Sequence, residues 1–429
     1  MKILFLTAGA AGMYCGSCMH DNALARALNQ IGADCLLQPL YTPIRTDEPS
    51  VASQQVFFGG VNIYLTQLVP LFRYVPTAVK RLLDRPGFLS WATRRASATD
   101  AAMLGELTLS MLRGEDGNQK DEVERLVQWL RSDIHPDAIV LTNLLIAGPL
   151  PAIRRALPNT KVVAILQGDD AFLDYMPPHL RRQAIELISQ RSRECDAILV
   201  NSHFYARRMV EMLGLEPERV RVSPLAIDTS PFASLQPQPR KERPLTVGYF
   251  ARIAPEKGLH HLVDAFIDLA SRAGCQSVQL QIAGWLGTQH QAFFDQQLQK
   301  LRDAGLDERV QHLGSPDLSG KIEMLRGIDV LSVPTEHQEP KGLFVLEAMA
   351  AGVPVVQPAV GAFPEIIEAS GGGLLVPPQQ PERLADALEQ VLLNPELRAH
   401  LGATGRAWVL GERTIQGQAE NLLNLIKLL

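Results

Sequence analysis

The sequence predicts an α/β protein built from two doubly wound parallel-sheet units in tandem. Three observations carry this expectation. Short apolar runs alternate with longer segments of helical period from the N-terminus onward, the pattern of parallel strands joined by crossover helices. The alternation halts at Gln236 to Pro244, QPQPRKERP, a proline- and charge-rich stretch without apolar periodicity that reads as a linker, and then begins afresh. Finally, 429 residues are too many for one hydrophobic core and ample for two.

In the first unit, residues 1–235, the expected strands are KILFLT, DCLLQPL, AIVLT, KVVAIL and AILVN, with a helix from about Ser17 to Ile31 after the first. In the second, residues 245–411, they are LTVGYF, VQLQIAG, RVQHLG, DVLSVP, VPVVQP and GGLLVPP, with helices starting near Gly258, Leu318, Gly342, Pro364 and Pro381. Leucines and isoleucine recur at helical spacing from Thr414 to Leu429, so this end is an amphipathic helix in need of a partner surface. Packing of residues 412–429 back on the first unit is one option. One segment breaks the rhythm: Leu65 to Ser97 mixes aromatic residues, prolines and arginines and is longer than an ordinary connection. A solvated helical excursion, an acceptor-binding element and a membrane-surface contact all stay open for it.

Composition excludes several classes. A formal net charge of -5 over this length is too weak for a dedicated nucleic-acid binder, which needs cationic excess to displace counterions. The opening MKILFLTAGAAG yields within a few residues to Gly and Ala, so it reads as a buried strand rather than a signal segment. No stretch approaches the roughly 18 uninterrupted apolar residues of a spanning helix, and five cysteines, an odd number, fit a reducing compartment better than a disulfide framework. The expectation is a cytoplasmic protein whose membrane contact, if it has any, is peripheral.

The candidate chemistry begins at Glu339. A strand (DVLSVP) ends, the polar loop TEHQEPK follows, and Gly342 opens an amphipathic helix, LFVLEAMAAG. A loop feeding a helix N-terminus at the carboxyl end of a parallel strand is where α/β proteins place ligands. The amides of Gly342, Leu343 and Phe344 are suited to a diphosphate, assisted by the helix dipole. Glu347, one turn further, would accept hydrogen bonds from a ribose diol, and Glu339 would sit beside the attached sugar.

At this point the sequence resembles the retaining glycosyltransferases of family four, which have the GT-B fold. Their hallmark pattern, E-x-x-G-x-x-x-x-E-A-M-A-x-G-x-P-V-V, is matched by Glu339, Gly342, Glu347, Ala348, Met349, Ala350, Gly352, Pro354, Val355 and Val356. Upstream, ARIAPEKGLHHLVDAF resembles the family's G-R-x-x-x-x-K-G-x-x-x-L-x-x-A element through Arg252, Lys257, Gly258, Leu262 and Ala265, with Ala251 in place of the usual glycine. The resemblance implies two Rossmann-like domains facing across a cleft, and a catalytic set of Glu339, Arg252 and Lys257 in which the two cations neutralise the departing diphosphate. It implies a UDP-, GDP- or ADP-sugar donor, retention of anomeric configuration, and no required cofactor or metal. Donor contacts are expected from Gly16, Gly284 and Leu313 besides Gly342, Leu343, Phe344 and Glu347.

The N-terminal half resembles the family more faintly. Cys15 and Gly16 stand where a Gly-Gly pair usually precedes the first helix, Gln167 and Gly168 where many relatives carry His-Gly, and PLAIDTSPF replaces P-x-G-x-D-x-x-x-F with Ala226 for glycine. Gln167 has no acid-base function but both donates and accepts hydrogen bonds, which suits a sugar hydroxyl. Asp169 and Asp170 beside it either bind acceptor hydroxyls or cap the next helix. The acceptor itself stays open among sugars, glycans, small metabolites and lipids.

Cys15 and Cys18 form C-G-S-C with His20 close by and Cys35 in the next strand. Thiols lining the donor loop, a redox pair and a metal site are the readings of that motif, and a single C-x-x-C is a weak signal for the last two. An NAD-dependent oxidoreductase is disfavoured, because Gly9, Gly12 and Gly16 do not make G-x-G-x-x-G and the second strand ends in QPL without a ribose-binding acid. A nucleotide-sugar epimerase of the same fold, and a nucleotide-sugar-binding protein without transfer, are the remaining alternatives.

Overall fold

The computed structural model describes residues 1–9, 15–44, 46–53, 56–58, 101–235 and 243–429. The excursion expected at 65–97 and most of the linker expected at 236–244 lie outside the described residues. The chain divides into two units, Met1–Pro224 together with Gln418–Leu429, and Leu225–Gly417.

In the first unit six strands, β1 (Lys2–Thr7), β2 (Asp34–Pro39), β3 (Ala138–Leu141), β4 (Lys161–Leu166), β5 (Ala197–Val200) and β6 (Val220–Val222), form a sheet in the order β2-β1-β3-β4-β5-β6. Every pairing is parallel. The central strands read as unbroken apolar runs because both faces are covered: Ile3, Leu4, Phe5 and Leu6 of β1 are all buried, as is the whole of β3. The first five strands match the apolar runs of the sequence. β6 is an addition, three half-buried or exposed residues, VRV, with too little apolar content to stand out. The first helix, Gly16–Gln30, buries Leu24 and Leu28 against the sheet.

The second unit holds β7 (Thr246–Phe250), β8 (Gln279–Ala283), β9 (Val310–His312), β10 (Val330–Leu331), β11 (Val355–Pro358) and β12 (Gly373–Val376). Their order, β12-β11-β10-β7-β8-β9, is again wholly parallel. The chain first runs outward from β7 through β8 to β9, then returns to the other side of β7 and runs outward through β10, β11 and β12. The reversal between β7 and β10 is a topological switch point, where neighbouring loops part and leave a crevice at the carboxyl ends of the strands. Two loops flank it, residues 251–258 after β7 and 332–342 after β10, and they carry the two motifs singled out above. β10 is shorter than the DVLSVP run suggested: its ladder covers Val330 and Leu331, and the Val333 amide turns to the Gln357 side chain instead of a strand partner.

The terminal helix, Ile415–Leu428, buries Ala419, Leu422 and Ile426. From Gln418 onward it belongs to the first unit. No helix among the described residues is long and apolar enough to cross a membrane.

Candidate functional site

The loop after β7 is a short 3-10 turn, Pro255–Lys257, leading through Gly258 into the helix Leu259–Ser271. Gly258 adopts φ of +71°, and a Cβ there would lie 1.8 Å from the carbonyl oxygen of Pro334. Only glycine lets the two loops touch this closely. Three donors from the second loop converge on one acceptor of the first: the Thr335 hydroxyl and the Glu336 and His337 amides reach the Glu256 carbonyl at 2.7, 3.1 and 3.4 Å.

This stitching brings Lys257 to Glu339. The Lys257 Nζ donates to Glu339 Oε2 at 2.5 Å, and the Gly342 amide donates to Oε1 at 3.3 Å. Burial alone would raise the Glu339 carboxyl above the ordinary range, but the Lys257 charge and hydrogen bond overcome it and hold the group down at about 2. Glu339 is therefore an anion, 6 % exposed, at the mouth of a helix. Arg252 is exposed, with its guanidinium 2.6 Å from Glu256.

The helix Leu343–Ala350 follows Gly342, itself at φ +71°. Leu343 and Phe344 occupy its first turn, where helix geometry supplies no acceptor for their amides. Glu347 is buried and pairs with an equally buried Lys321, whose Nζ lies 2.6 Å from Oε1. Gly284, just past β8, has φ of +142° and packs on the carbonyl of Ala251, while its amide donates to Gly314. Leu313 donates its amide to Ile282. The loops after β7, β8, β9 and β10 are thus tied to one another at the carboxyl end of the sheet; they hold Arg252, Lys257, Gly284, Leu313, Glu339 and Gly342, and the helix that follows the last of them holds Leu343, Phe344 and Glu347.

Gly16, Gln167 and Asp169 belong to the other unit. Gly16 is the first residue of its helix, with Cys15 at the cap position. The Gln167 side-chain amide donates to Asp21 Oδ1 at 2.7 Å, and the Thr7 hydroxyl reaches Asp21 Oδ2 at 3.2 Å, so a fully buried aspartate joins the ends of β1 and β4. Asp169 does not cap the following helix through its side chain. Its carboxylate accepts the backbone amides of Leu144 and Gln167, at 2.7 and 3.2 Å, and burial lifts it to about 7 despite them. Asp170 accepts from the Tyr205 hydroxyl and pairs with Arg208. These two acids hold the loop after β4 in place. Asp228 Oδ1 accepts from both the amide and the hydroxyl of Ser230.

None of the five cysteines is in a disulfide. Among the described residues none of them joins a group of three metal-ligating side chains; the group that does form is His260, His261 and Glu336.

Residues 233–408 match the family model described as glycosyl transferases group 1, and residues 113–231 match glycosyltransferase family 4. The chain belongs to glycosyltransferase family four. Among its family-four relatives is the D-inositol 3-phosphate glycosyltransferase of Saccharomonospora viridis, 30% identical over 273 residues that make up 60% of each chain. Another is the GDP-mannose-dependent monoacylated alpha-(1-6)-phosphatidylinositol monomannoside mannosyltransferase of Corynebacterium glutamicum, 25% identical over 62% of this chain and 70% of that one. The matches to the first two curated relatives cover about three fifths of those proteins' own length. Among solved structures, the sucrose-phosphate synthase of Thermosynechococcus elongatus superposes with a TM-score of 0.72 at 20% identity, covering 100% of this chain and 98% of that one. HepE from Anabaena in complex with UDP gives 0.70 at 17%, with both chains fully covered. These likenesses show the fold, which is GT-B.

The family-four motifs point to Arg252, Lys257, Glu339 and Glu347, but not to what Glu347 faces. Lys321 lies 26 positions away on another helix, and its sequence context, LSGKIEM, looks like an ordinary solvated helix start. Asp21 is hidden in the same way, 146 residues from Gln167. The adjacent histidines of KGLHHL, one turn beyond Lys257, are a signal legible in the sequence.

Proposed function

We propose that this chain transfers a glycosyl group from a nucleoside diphosphate sugar to an acceptor hydroxyl, with retention of configuration and without a metal in the transfer step. The observation that carries the reading is the Lys257–Glu339 pair, 2.5 Å apart across the two loops at the switch point. One loop thereby presents cations and the other an anion beside two helix amides. Lys257 and Arg252 serve the diphosphate, whose negative charge grows as the sugar departs, and stabilisation placed where charge develops lowers the barrier. The amides of Leu343 and Phe344 receive phosphate oxygens at a helix N-terminus. Glu339 accepts hydrogen bonds from the sugar hydroxyls, and Glu347, oriented by Lys321, those of the ribose. Gly284 and Leu313 lie on the loops that would border the base.

HepE has been solved with UDP and with UDP-glucose, and the corynebacterial relative is named for GDP-mannose. A uracil or guanine nucleotide is therefore the first donor to try, with an ADP-sugar third. The acceptor belongs to the first unit, where Gln167 is the residue we assign to a hydroxyl contact; sugar, inositol and lipid-linked acceptors are its candidate classes. Thermal unfolding with UDP, GDP and ADP, followed by nucleotide release from the matching sugars, tests the reading. One nucleotide should raise the melting temperature, by the equivalent of about 2.7 kcal/mol at a hundredfold excess over its dissociation constant, and the rise should vanish in the double variant Arg252→Ala, Lys257→Ala. Equal responses of wild type and variant to all three would defeat it.

A further inference from the structure

One cluster plays no part in the proposed transfer. His260 and His261 are the second and third residues of the helix Leu259–Ser271, and Glu336 lies on the loop between β10 and Glu339. We propose that His260, His261 and Glu336 form a binding site for one divalent transition-metal ion of the zinc class.

Consecutive residues on a helix point roughly 100° apart, so adjacent histidines do not ordinarily share a partner. Here the ring centroids are 4.0 Å apart, and both Nε2 atoms turn to the same carboxylate oxygen, Glu336 Oε1, at 3.0 and 2.8 Å. All three ligand atoms lie within 4.8 Å of one another. A tetrahedral ion about 2.1 Å from each would hold them about 3.4 Å apart, so the Glu336 carboxylate has only about half an ångström to withdraw from the two nitrogens to admit one. That withdrawal is easy. The Glu336 side chain is 37% exposed, while its backbone amide stays anchored to the Glu256 carbonyl.

The donor set decides the kind of ion. Two imidazole nitrogens and one carboxylate suit zinc, cobalt or nickel, with water in the fourth position, whereas magnesium and calcium prefer oxygen alone. The histidine side chains are 25% and 15% exposed, so an ion has access from solvent. The Nδ1 of His260 is buried without a hydrogen-bond partner. It lacks the outer acceptor that strengthens structural zinc ligands, which makes this an exchangeable site rather than a permanent one. Its position gives occupancy a consequence. Lys257 precedes His260 by three residues and Glu336 precedes Glu339 by three, so an ion there clasps together the two loops that carry the proposed donor residues.

The test uses the metal alone on the full chain after chelator treatment, and so does not depend on any transfer activity. Wild type should bind one zinc ion per chain by calorimetry and gain thermal stability from it. Titration with cobalt should give the visible bands of a nitrogen and oxygen site without thiolate charge transfer. His261→Ala and Glu336→Gln, each confirmed as folded by circular dichroism, should bind at least tenfold more weakly. Absence of stoichiometric binding in wild type, a thiolate band assigning the ion to cysteine, or unchanged affinity in both variants would overturn the proposal.

Discussion

The Lys257 ammonium and the Glu339 carboxylate meet in a place with little water, and the electrostatics follow from that. Because Glu339 sits at about 2 in the folded chain, below its ordinary 4.5, the pair contributes stability above the ordinary carboxylate range and loses it as pH falls toward 2. In Lys257→Met the same buried carboxyl has lost its cation, and its burial favours the protonated form. Removing one member of a buried pair costs about 3 kcal/mol or more. The stability gap between wild type and Lys257→Met, read from urea unfolding, should therefore be widest near neutral pH and shrink below about pH 4.5. A gap independent of pH would contradict the pairing. For transfer, Lys257→Ala or Glu339→Ala should cost at least about 10²-fold in kcat, with near-native turnover sinking the assignment. Glu347 calls for a gentler probe, because Glu347→Ala would remove the carboxylate that pairs with Lys321, which is 3 % exposed, and confuse folding with binding. Glu347→Gln preserves a hydrogen-bond acceptor for Lys321, and it should raise the donor KM while leaving kcat nearly unchanged.

Loops are held by backbone geometry, and here a single glycine does much of the holding. In Gly258→Ala the new methyl would lie 1.8 Å from the Pro334 oxygen in a backbone region at φ +71° that side chains avoid. The conformational penalty alone is about 1 kcal/mol, and the loop after β10 must also retreat, carrying Glu336 and Glu339 with it. A lowered melting temperature together with weaker nucleotide binding is the expected result; unchanged binding would mean the two loops do not act as one piece. Gly258 was legible as part of a motif, and so were the ends of β7 and β10, since parallel strands buried on both faces write themselves as apolar runs. What the sequence hid falls into two physical kinds. VRV of β6 is a short edge strand with little to bury, and so leaves no period. The Lys321–Glu347 and Asp21–Gln167 contacts join residues far apart in the chain, and no local pattern encodes a partner that the fold alone supplies. The motif thus singles out the two glutamates, while the partners that orient them emerge only from packing.

At the scale of the whole chain, each unit closes its own sheet, yet the first is not continuous in sequence. It recruits Gln418–Leu429 from the far end. Gln418 is the polar fastening, with its side chain 2.8 Å from the His20 ring and 3.3 Å from the Ser223 hydroxyl, while Leu422 and Ile426 supply buried apolar surface. Within the second unit, Ile227 and Thr414 pair side by side, so the chain enters and leaves that unit at one place. Truncation after Gly417 should therefore damage the two units unequally. Loss of the buried Leu422, Leu425 and Ile426, each worth about 2–5 kcal/mol by comparison with cavity-forming substitutions, strikes the first unit. The ladders of β7 to β12 pair only with one another. Amide exchange should accelerate across β1 to β6 and stay at its native rate across β7 to β12. If the proposed donor residues lie wholly in the second unit, the truncated chain should keep part of its stabilisation by the cognate nucleotide even as the first unit loosens. Uniform acceleration across all twelve strands would show instead that the two cores unfold as one cooperative body, and that the terminal helix supports both.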